Sequence, residues 1–365
     1  MAAKVTQRKK TNKRIRLQEG EKVHVGLDVH KRSYHVAIYS STPGRGLVAR
    51  WVQPPDFQVL HKTLFSLKSS VEQVVYEAGP TGFSLARTLQ KEGYSVKVIA
   101  PGHTPTARVQ ESKSDGLDCV RLAEFSVKDL LKYVYIPTEE EDGARQVSRH
   151  RDAAVRKVAR LKCQIKSFLL YNGIADPPGL KHWSLQSVET LRTLVLENED
   201  LRFCLDDLLD SLREAQARLS RLNERGRRII RREEYREAST YLATIAGVGA
   251  ITILTVLTEF LAPDRFDTAL QVSKYQGLCP LVRSSGGTRR EMGRHRGGNR
   301  RLRTMIVEAS WRWVRRDPYA RSLYEHYLKR TSNKKKAIVA VARRLGIIIW
   351  RMLTRMEPYR EKEAA

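Results

Sequence analysis

Apolar and polar positions change rhythm three times along the chain, and each change marks a different kind of element. Val23, Val25 and Leu27 alternate with other residues up to Asp28. Tyr34, Val36 and Ile38 alternate again after a short turn at His30 to Ser33. This period of two predicts two adjacent strands, a hairpin, between Lys22 and Tyr39. Residues Gly46 to Val52 continue as a third strand, whereas Leu60, Leu64 and Leu67 recur at helical spacing over Phe57 to Leu67. A short apolar strand follows from Val71 to Tyr76 and stops on Glu77. The breakers Gly79, Pro80 and Gly82 then lead into a helix from Phe83 to Glu92. Tyr94 to Ile99 reads as another strand, closed by Pro101 and Gly102, and a helix holding Asp115, Asp118, Leu122 and Phe125 comes next. Strands interleaved with helices in this order predict a mixed α/β sheet with helices packed on it.

Beyond Pro137 and the acidic run Glu139 to Asp142 the pattern becomes helical. Val155, Val158, Ile165 and Leu169 form one stripe, interrupted at Asp176, Pro177, Pro178 and Gly179. Leu201, Leu205, Leu208, Leu212, Ala215, Leu219 and Leu222 then alternate steps of four and three, the seam of a coiled coil. Three closures of that seam are open: an antiparallel hairpin, contact between subunits, or a helical bundle within one chain. From about Tyr241, Leu242 and Ile245 precede Gly247-Val248-Gly249, and Ile251, Leu254 and Leu257 follow it. This is the layout of a helix-hairpin-helix, whose glycines let backbone amides approach a phosphate. A plain αα-hairpin needs a glycine as well. Past Tyr275, Gly277, Leu278 and Pro280 lie Arg283-Ser284-Ser285-Gly286-Gly287 and a dense basic stretch with Arg289, Arg290, Arg294, Arg296, Arg300, Arg301 and Arg303. Helices over Leu302 to Arg315, Tyr319 to Lys329 and Lys334 to Met356 end the chain.

Charge narrows the partner. The 365 residues hold 67 Lys and Arg against 40 Asp and Glu, a formal charge of +27, which favours a phosphate backbone as the ligand. No apolar run reaches the roughly 18 residues needed to span a bilayer. The start of the chain, with Lys4, Arg8, Lys9, Lys10, Lys13, Arg14 and Arg16, reads as a basic disordered arm rather than a signal peptide. Cys119, Cys163, Cys204 and Cys279 are scattered without zinc spacing, as expected of reduced core thiols in a cytoplasmic protein.

Against this basic background four acids stand out. Asp28 and Glu77 each end a strand, and Asp115 and Asp118 lie one helical turn apart on a shared face. Gathered together they repel unless cations neutralise them, and an all-oxygen ligand set selects Mg²⁺, with Mn²⁺ as a substitute, over zinc. Two such ions about 4 Å apart suit phosphoryl transfer. Taken singly, each acid also fits a cap or a surface charge; Asp115 could cap the helix behind Ser114.

The strings Val25-Gly26-Leu27-Asp28-Val29-His30-Lys31, Tyr76-Glu77-Ala78-Gly79-Pro80-Thr81-Gly82 and Lys113-Ser114-Asp115-Gly116-Leu117-Asp118 resemble the DEDD transposases of bacterial insertion sequences of the 110/1111 type, the bridge-RNA-guided recombinases. Ala246-Gly247-Val248-Gly249, Gly277-Leu278-Cys279-Pro280, Ser284-Ser285-Gly286-Gly287 and Gly297-Gly298-Asn299-Arg300 resemble the second block of that family, in the same order. The resemblance implies a multidomain α/β plus α chain. A basic arm (1–20) would precede a RuvC-like domain of the RNase H fold (21–137), a coiled-coil helical region (138–238), and a mainly helical transposase domain with a helix-hairpin-helix and a catalytic serine (239–365). It implies that Asp28, Glu77, Asp115 and Asp118 hold Mg²⁺. It also implies that Ser285, or alternatively Ser284, attacks the scissile phosphate to give a phosphoserine intermediate that conserves bond energy. Gly286 and Gly287 directly after Ser285 favour it. The implied partners are donor and target DNA, a structured bridge RNA, and further copies of the chain as a dimer or tetramer. The implied location is bacterial cytoplasm, at the nucleoid when acting.

Gly247, Gly249, Arg283, Arg289, Arg290, Arg294 and Arg300 are the expected DNA contacts, and the arginines after the serine also suit charge stabilisation on a phosphorane. His30 and Lys31, beside Asp28, read as a turn residue and a solvated charge. Two other readings compete: a Holliday-junction-type endonuclease whose acids activate water, and a non-catalytic nucleic-acid binder. The second has little reason to gather acids against its own field.

Overall fold

A computed structural model of the chain describes residues 15–100, 115–285, 288–294 and 297–360, and excludes the side chains of residues 115–117 and 281–296. The Met1–Arg14 part of the basic arm and the turn at Pro101 and Gly102 lie outside the described residues. The chain divides into two compact units, Met1–Thr138 and Glu139–Ala365.

The first unit is a six-stranded mixed sheet. Strands β1 (Val23–Val29), β2 (Tyr34–Ser40) and β3 (Leu47–Gln53) form an antiparallel meander; β4 (Val71–Glu77), β5 (Val96–Ile99) and β6 (Tyr133–Val134) complete the order β3-β2-β1-β4-β5-β6. The β1–β4 and β4–β5 pairs are parallel, and β6 is antiparallel to β5. Helices α1 (Phe57–Phe65) and α2 (Ser84–Lys91) cover one face with Leu60, Leu64, Leu85 and Leu89 against Val23, Val25, Leu27 and Val74. Helix α3 (Asp115–Val127) covers the other, where Leu122 meets Val75 and Ile99. Val74 and Val75 therefore go to opposite faces, as the two-residue period requires. Ile15 and Leu17 pack on the first of these clusters.

The second unit opens with α4 (Glu139–Tyr171), whose first turn is the acidic run Glu139, Glu140, Glu141 and Asp142, placed where the helix dipole favours negative charge. Helix α5 (Leu185–Thr193) leads to α6 (Glu199–Ile229), capped by Asn198, whose Oδ1 accepts from the amides of Asp200 and Leu201. Arg151 near the start of α4 donates to Asn223 near the end of α6 at 2.9 Å, so the two long helices run antiparallel. The leucine seam is closed by α4 of the same chain. Its fully buried line is Leu205, Leu209, Leu212 and Ala215 against Val158, Leu161, Ile165 and Leu169. Val155, expected in the stripe, is 37% exposed, and Ala154 is buried in its place.

Helices α7 (Glu233–Ala243), α8 (Ala250–Phe260), α9 (Ala269–Tyr275), α10 (Arg300–Arg316), α11 (Pro318–Thr331) and α12 (Lys334–Arg355) form the rest around Trp313, Phe260, Ile306 and Leu345. Between α9 and α10 stands a two-stranded ribbon, β7 (Pro280–Ser285) and β8 (Thr288–Arg294). All four cysteines are free; Cys119 and Cys279 are buried, whereas Cys163 and Cys204 are exposed rather than in the core. No helix among the described residues is long and apolar enough to cross a membrane.

Candidate active site

Strand register brings the first two acids together. β1 and β4 run parallel with Leu27 opposite Tyr76, so Asp28 and Glu77, one residue further on each, lie at the same end of neighbouring strands. Helix α3 crosses β1 in the reverse sense. Ser126 meets His24 at 2.7 Å, while Cys119 and Ala123 lie over Gly26. The first turn of α3, which holds Asp115 and Asp118, therefore points back toward the strand end occupied by Asp28. Contact is this close only because residue 26 is glycine: a Cβ there would overlap the Cys119 carbonyl and come within 2.7 Å of the Ala123 amide nitrogen.

Asp28 is 19% exposed and its Oδ2 lies 3.0 Å from Nε2 of His30, which stands edge-on to His35. His30, two residues beyond Asp28, falls on the same face by the two-residue period of the strand, a pairing with Asp28 that the reading of His30 as a turn residue missed. Burial, and after it the negative charge of Asp28, pushes the neighbouring Cys119 thiol up to about 11, so this cysteine stays protonated at neutral pH. Asp118 is exposed, and Glu77 is half-buried. Asp115 opens α3, and its side chain lies outside the described residues. Among the described residues no group of three His, Cys, Asp or Glu forms a ready-made cage for an ion. The acids Asp28, Glu77, Asp115 and Asp118 themselves offer only carboxylate oxygens, a set suited to a hard divalent cation, with the His30 imidazole beside Asp28.

Ser284 and Ser285 stand on β7, in a ribbon and not in the loop that their Gly/Ser-rich surroundings suggest. Ser285 pairs with Thr288 and Ser284 with Arg289, so Ser285 is the last paired residue before Gly286-Gly287. Arg283 pairs with Arg290, and Pro280 with Arg294, which places four of the five expected DNA-contacting arginines along this ribbon. Arg300, the fifth, is exposed at the start of α10.

The ribbon's root is tightly built. Gly298 has φ +86°, and a Cβ on it would come within 2.6 Å of the Lys274 carbonyl and press on the backbone of Gly277, so the two legs meet through glycines. The Asn299 amide donates to the Tyr275 carbonyl at 2.6 Å. Its side chain caps α10 through the amides of Arg301 and Leu302, and its Nδ2 donates to Glu259 at 2.9 Å. Glu259, 1% exposed, receives a two-pronged contact from Arg149 at 2.9 and 3.0 Å, and Nε of Arg301 lies 2.9 Å away. Burial by itself would raise this carboxyl; the hydrogen bonds from Arg149 and Asn299 and the nearby guanidinium charges outweigh it and hold the group below its ordinary range. The network ties α4, α8 and α10 together.

The two glycines of Gly247-Val248-Gly249 differ. Gly247, at φ +93°, faces α10, and a Cβ there would come within 2.6 Å of Arg312 Cβ, so the glycine lets α10 pack closely. Gly249 opens on free space as the N-cap of α8, with no side chain capping the amides.

A mixed sheet with Asp28 and Glu77 at the same end of neighbouring strands, in a chain of formal charge +27, points to an enzyme that works on nucleic acid. Comparisons with known proteins make this specific. Residues 25–171 match the DEDD transposase model of the IS110 type, and residues 239–325 match the transposase model of the IS116/IS110/IS902 family. The chain is 27% identical over 292 residues to the putative transposase y4qE of Sinorhizobium fredii, covering 79% of this chain and 70% of that one. It is 26% identical to the transposase for insertion sequence element IS1533 of Leptospira borgpetersenii, covering 93% and 98%. It is also 26% identical to the transposase for insertion sequence element IS1111A of Coxiella burnetii, covering 92% and 91%. The chain belongs to the IS110 family of DEDD transposases, and is a DNA transposase.

Proposed function

We propose that this transposase cuts and rejoins donor and target DNA through a covalent serine intermediate, directed by a structured bridge RNA and acting as a homo-oligomer. Asp28, Glu77, Asp115 and Asp118 would hold Mg²⁺, or Mn²⁺ in its place. When bound, the cation supplies Lewis-acid polarisation of a phosphoryl oxygen and lowers the pKa of an oxygen nucleophile. The observation that supports the reading most directly is that parallel β1 and β4 set Asp28 and Glu77 at the same strand end, with α3 lying on β1 so that its first turn comes back toward that end.

Ser285 is the proposed nucleophile and Ser284 the alternative. The Oγ–phosphorus bond forms as the phosphodiester bond to the neighbouring deoxyribose breaks. The serine proton leaves to base, and the freed deoxyribose hydroxyl is retained for rejoining. Arg283, Arg289, Arg290, Arg294 and Arg300 bind phosphates beside the serine, and Gly249 presents the open amides of α8 to the backbone further away. The basic arm and the first unit are the proposed seat of the RNA.

The test is to incubate the protein with its RNA and end-labelled element DNA, denature, and look for label on protein. Wild type should carry DNA covalently. Ser285→Ala and Asp28→Ala should each lose both the adduct and recombination. Recombination by a Ser284→Ala, Ser285→Ala double variant would refute the covalent route, and protein-free cut ends would instead select hydrolysis of the Holliday-junction-resolving type.

A further inference from the structure

We propose that a groove along α12, remote in sequence from the serine ribbon and the Gly249 turn, is a binding site for the phosphodiester backbone of DNA. Between Glu325 and Glu357 the chain has no Asp or Glu, while Lys329, Arg330, Lys334, Lys335, Lys336, Arg343, Arg344, Arg351 and Arg355 all fall there. Three of these cations share one stripe. At about 100° per residue, Arg344, Arg351 and Arg355 lie within about 40° of each other around α12 and span roughly 16 Å along it. At about 3.4 Å of rise per nucleotide that length matches a run of about five phosphates.

The stripe lines a groove of about 210 Å³, whose far wall is the segment after α12, including Tyr359 and Arg360. Both walls are fixed. Arg344 Nε donates to the Tyr319 hydroxyl at 3.0 Å, and the Tyr359 hydroxyl donates to the buried Asp317 at 2.8 Å. The Tyr359 amide is held by the Thr244 hydroxyl at 2.9 Å. Among the described residues Glu357 is the single carboxylate on the rim. Arg351, Arg355 and Arg360 have no carboxylate within ion-pair distance among the described residues. By contrast, Arg227 and Arg228 share Glu224, Arg213 meets Asp210, and Arg236 meets Glu233. Uncompensated guanidiniums lining a preformed groove have the geometry that phosphate oxygens need. DNA is the polyanion that a transposase must hold.

The test is fluorescence anisotropy of a labelled random-sequence DNA duplex over a series of salt concentrations, comparing the full-length protein with Arg351→Gln, Arg355→Gln. Each lost phosphate contact should reduce the slope of log K against log salt by about 0.9, so the double variant should lose about 2. At about 0.15 M salt that corresponds to binding weakened about 30-fold. Arg227→Gln, Arg228→Gln changes the net charge equally and should stay close to wild type. Arg351→Lys, Arg355→Lys keeps the charge and should recover most of the slope; melting curves of all variants report whether each is folded. An unchanged slope, an equal loss in the matched control, or a loss seen only with labelled RNA would overturn the proposal. Binding here needs neither Asp28 nor Ser285, so failure of this site and failure of the serine chemistry are separate results.

Discussion

Glu259→Gln isolates the network that roots the serine ribbon. The carboxylate is 1% exposed and faces Arg149, Arg301 and Asn299. Losing its charge leaves guanidiniums beside a neutral amide. Removing one partner of a buried ion pair costs about 3–5 kcal/mol. Arg149 is 46% exposed and can be rehydrated, and Arg301 keeps Asp152 at 3.1 Å, so the lower end, about 3 kcal/mol, applies here. For a body of this size each kcal/mol lowers Tm by about 2–4 °C, which predicts a drop of about 6–12 °C in the transition of the second unit. Scanning calorimetry of the full-length protein reads it directly. Adding Arg149→Met removes the cation that the first change strands, so the double variant should be destabilised by less than the sum of the singles, with a coupling of at least about 1 kcal/mol. A Tm shift below about 2 °C for Glu259→Gln, or strict additivity in the cycle, would refute the view that this carboxylate holds the three helices together.

Gly26→Ala forces a methyl into the Cys119 carbonyl; because a backbone atom must move, the cost should sit at or above the usual 1–3 kcal/mol of overpacking, read as an early denaturation of the first unit. Asn198→Ala removes the cap of α6 and should cost about 1 kcal/mol by urea unfolding, with no loss of DNA binding. Acid should destabilise both units. Glu259 is held low despite its burial, and Glu21, whose burial also opposes ionisation, is held low by Ser40, the Gln18 amide and Arg45. Folded values below the ordinary 4.5 mean that this stability is fully present above pH 4.5 and is lost as pH falls through the lower folded values, which circular dichroism against pH would show. Mg²⁺ at about 100 times its Kd should stabilise the wild-type first unit by about 2.7 kcal/mol, an effect that EDTA removes and that Asp28→Asn lacks; equal stabilisation of that variant would exclude Asp28 as a ligand.

The sheet was legible because Val23, Val25 and Leu27, or Val36 and Ile38, record their buried faces in the residues themselves. β6 was not, since Tyr133 and Val134 are too few to show a period. The ribbon failed for a different reason. Arg283, Arg289, Arg290 and Arg294 occupy strand positions through cross-strand pairing next to Gly286-Gly287, not through an apolar face, and a basic run without alternation reads as loop. Within α6 the steps of four and three were correct in kind, but the buried line passes through Leu209 while Leu208 is only partly covered, because α4 and not a second identical helix closes the seam. Asp28 and Glu77 could be placed from sequence since each lies at the end of an apolar strand run. Glu259 could not, because its partners Arg149 and Asn299 are 110 and 40 residues away and nothing local marks their meeting.

The two candidate halves of the chemistry are supported by the same physical device, although one unit is built on a sheet and the other on helices. In the first unit Gly26 removes a side chain so that α3 can lie directly on β1, which sets the acids of its first turn relative to the strand end. In the second, Gly277 and Gly298 remove side chains so that the legs of the ribbon can touch, and the Asn299 cap then starts α10 at a fixed point. Positions meant to meet a reacting phosphate must be held within about half an ångström, and a glycine contact backed by hydrogen-bonded caps gives that precision without filling the site itself. The basic field, by contrast, needs no such precision, which is why its arginines can stand on a ribbon, on a helix start and along α12, while the acids come from three elements that each have one way to pack.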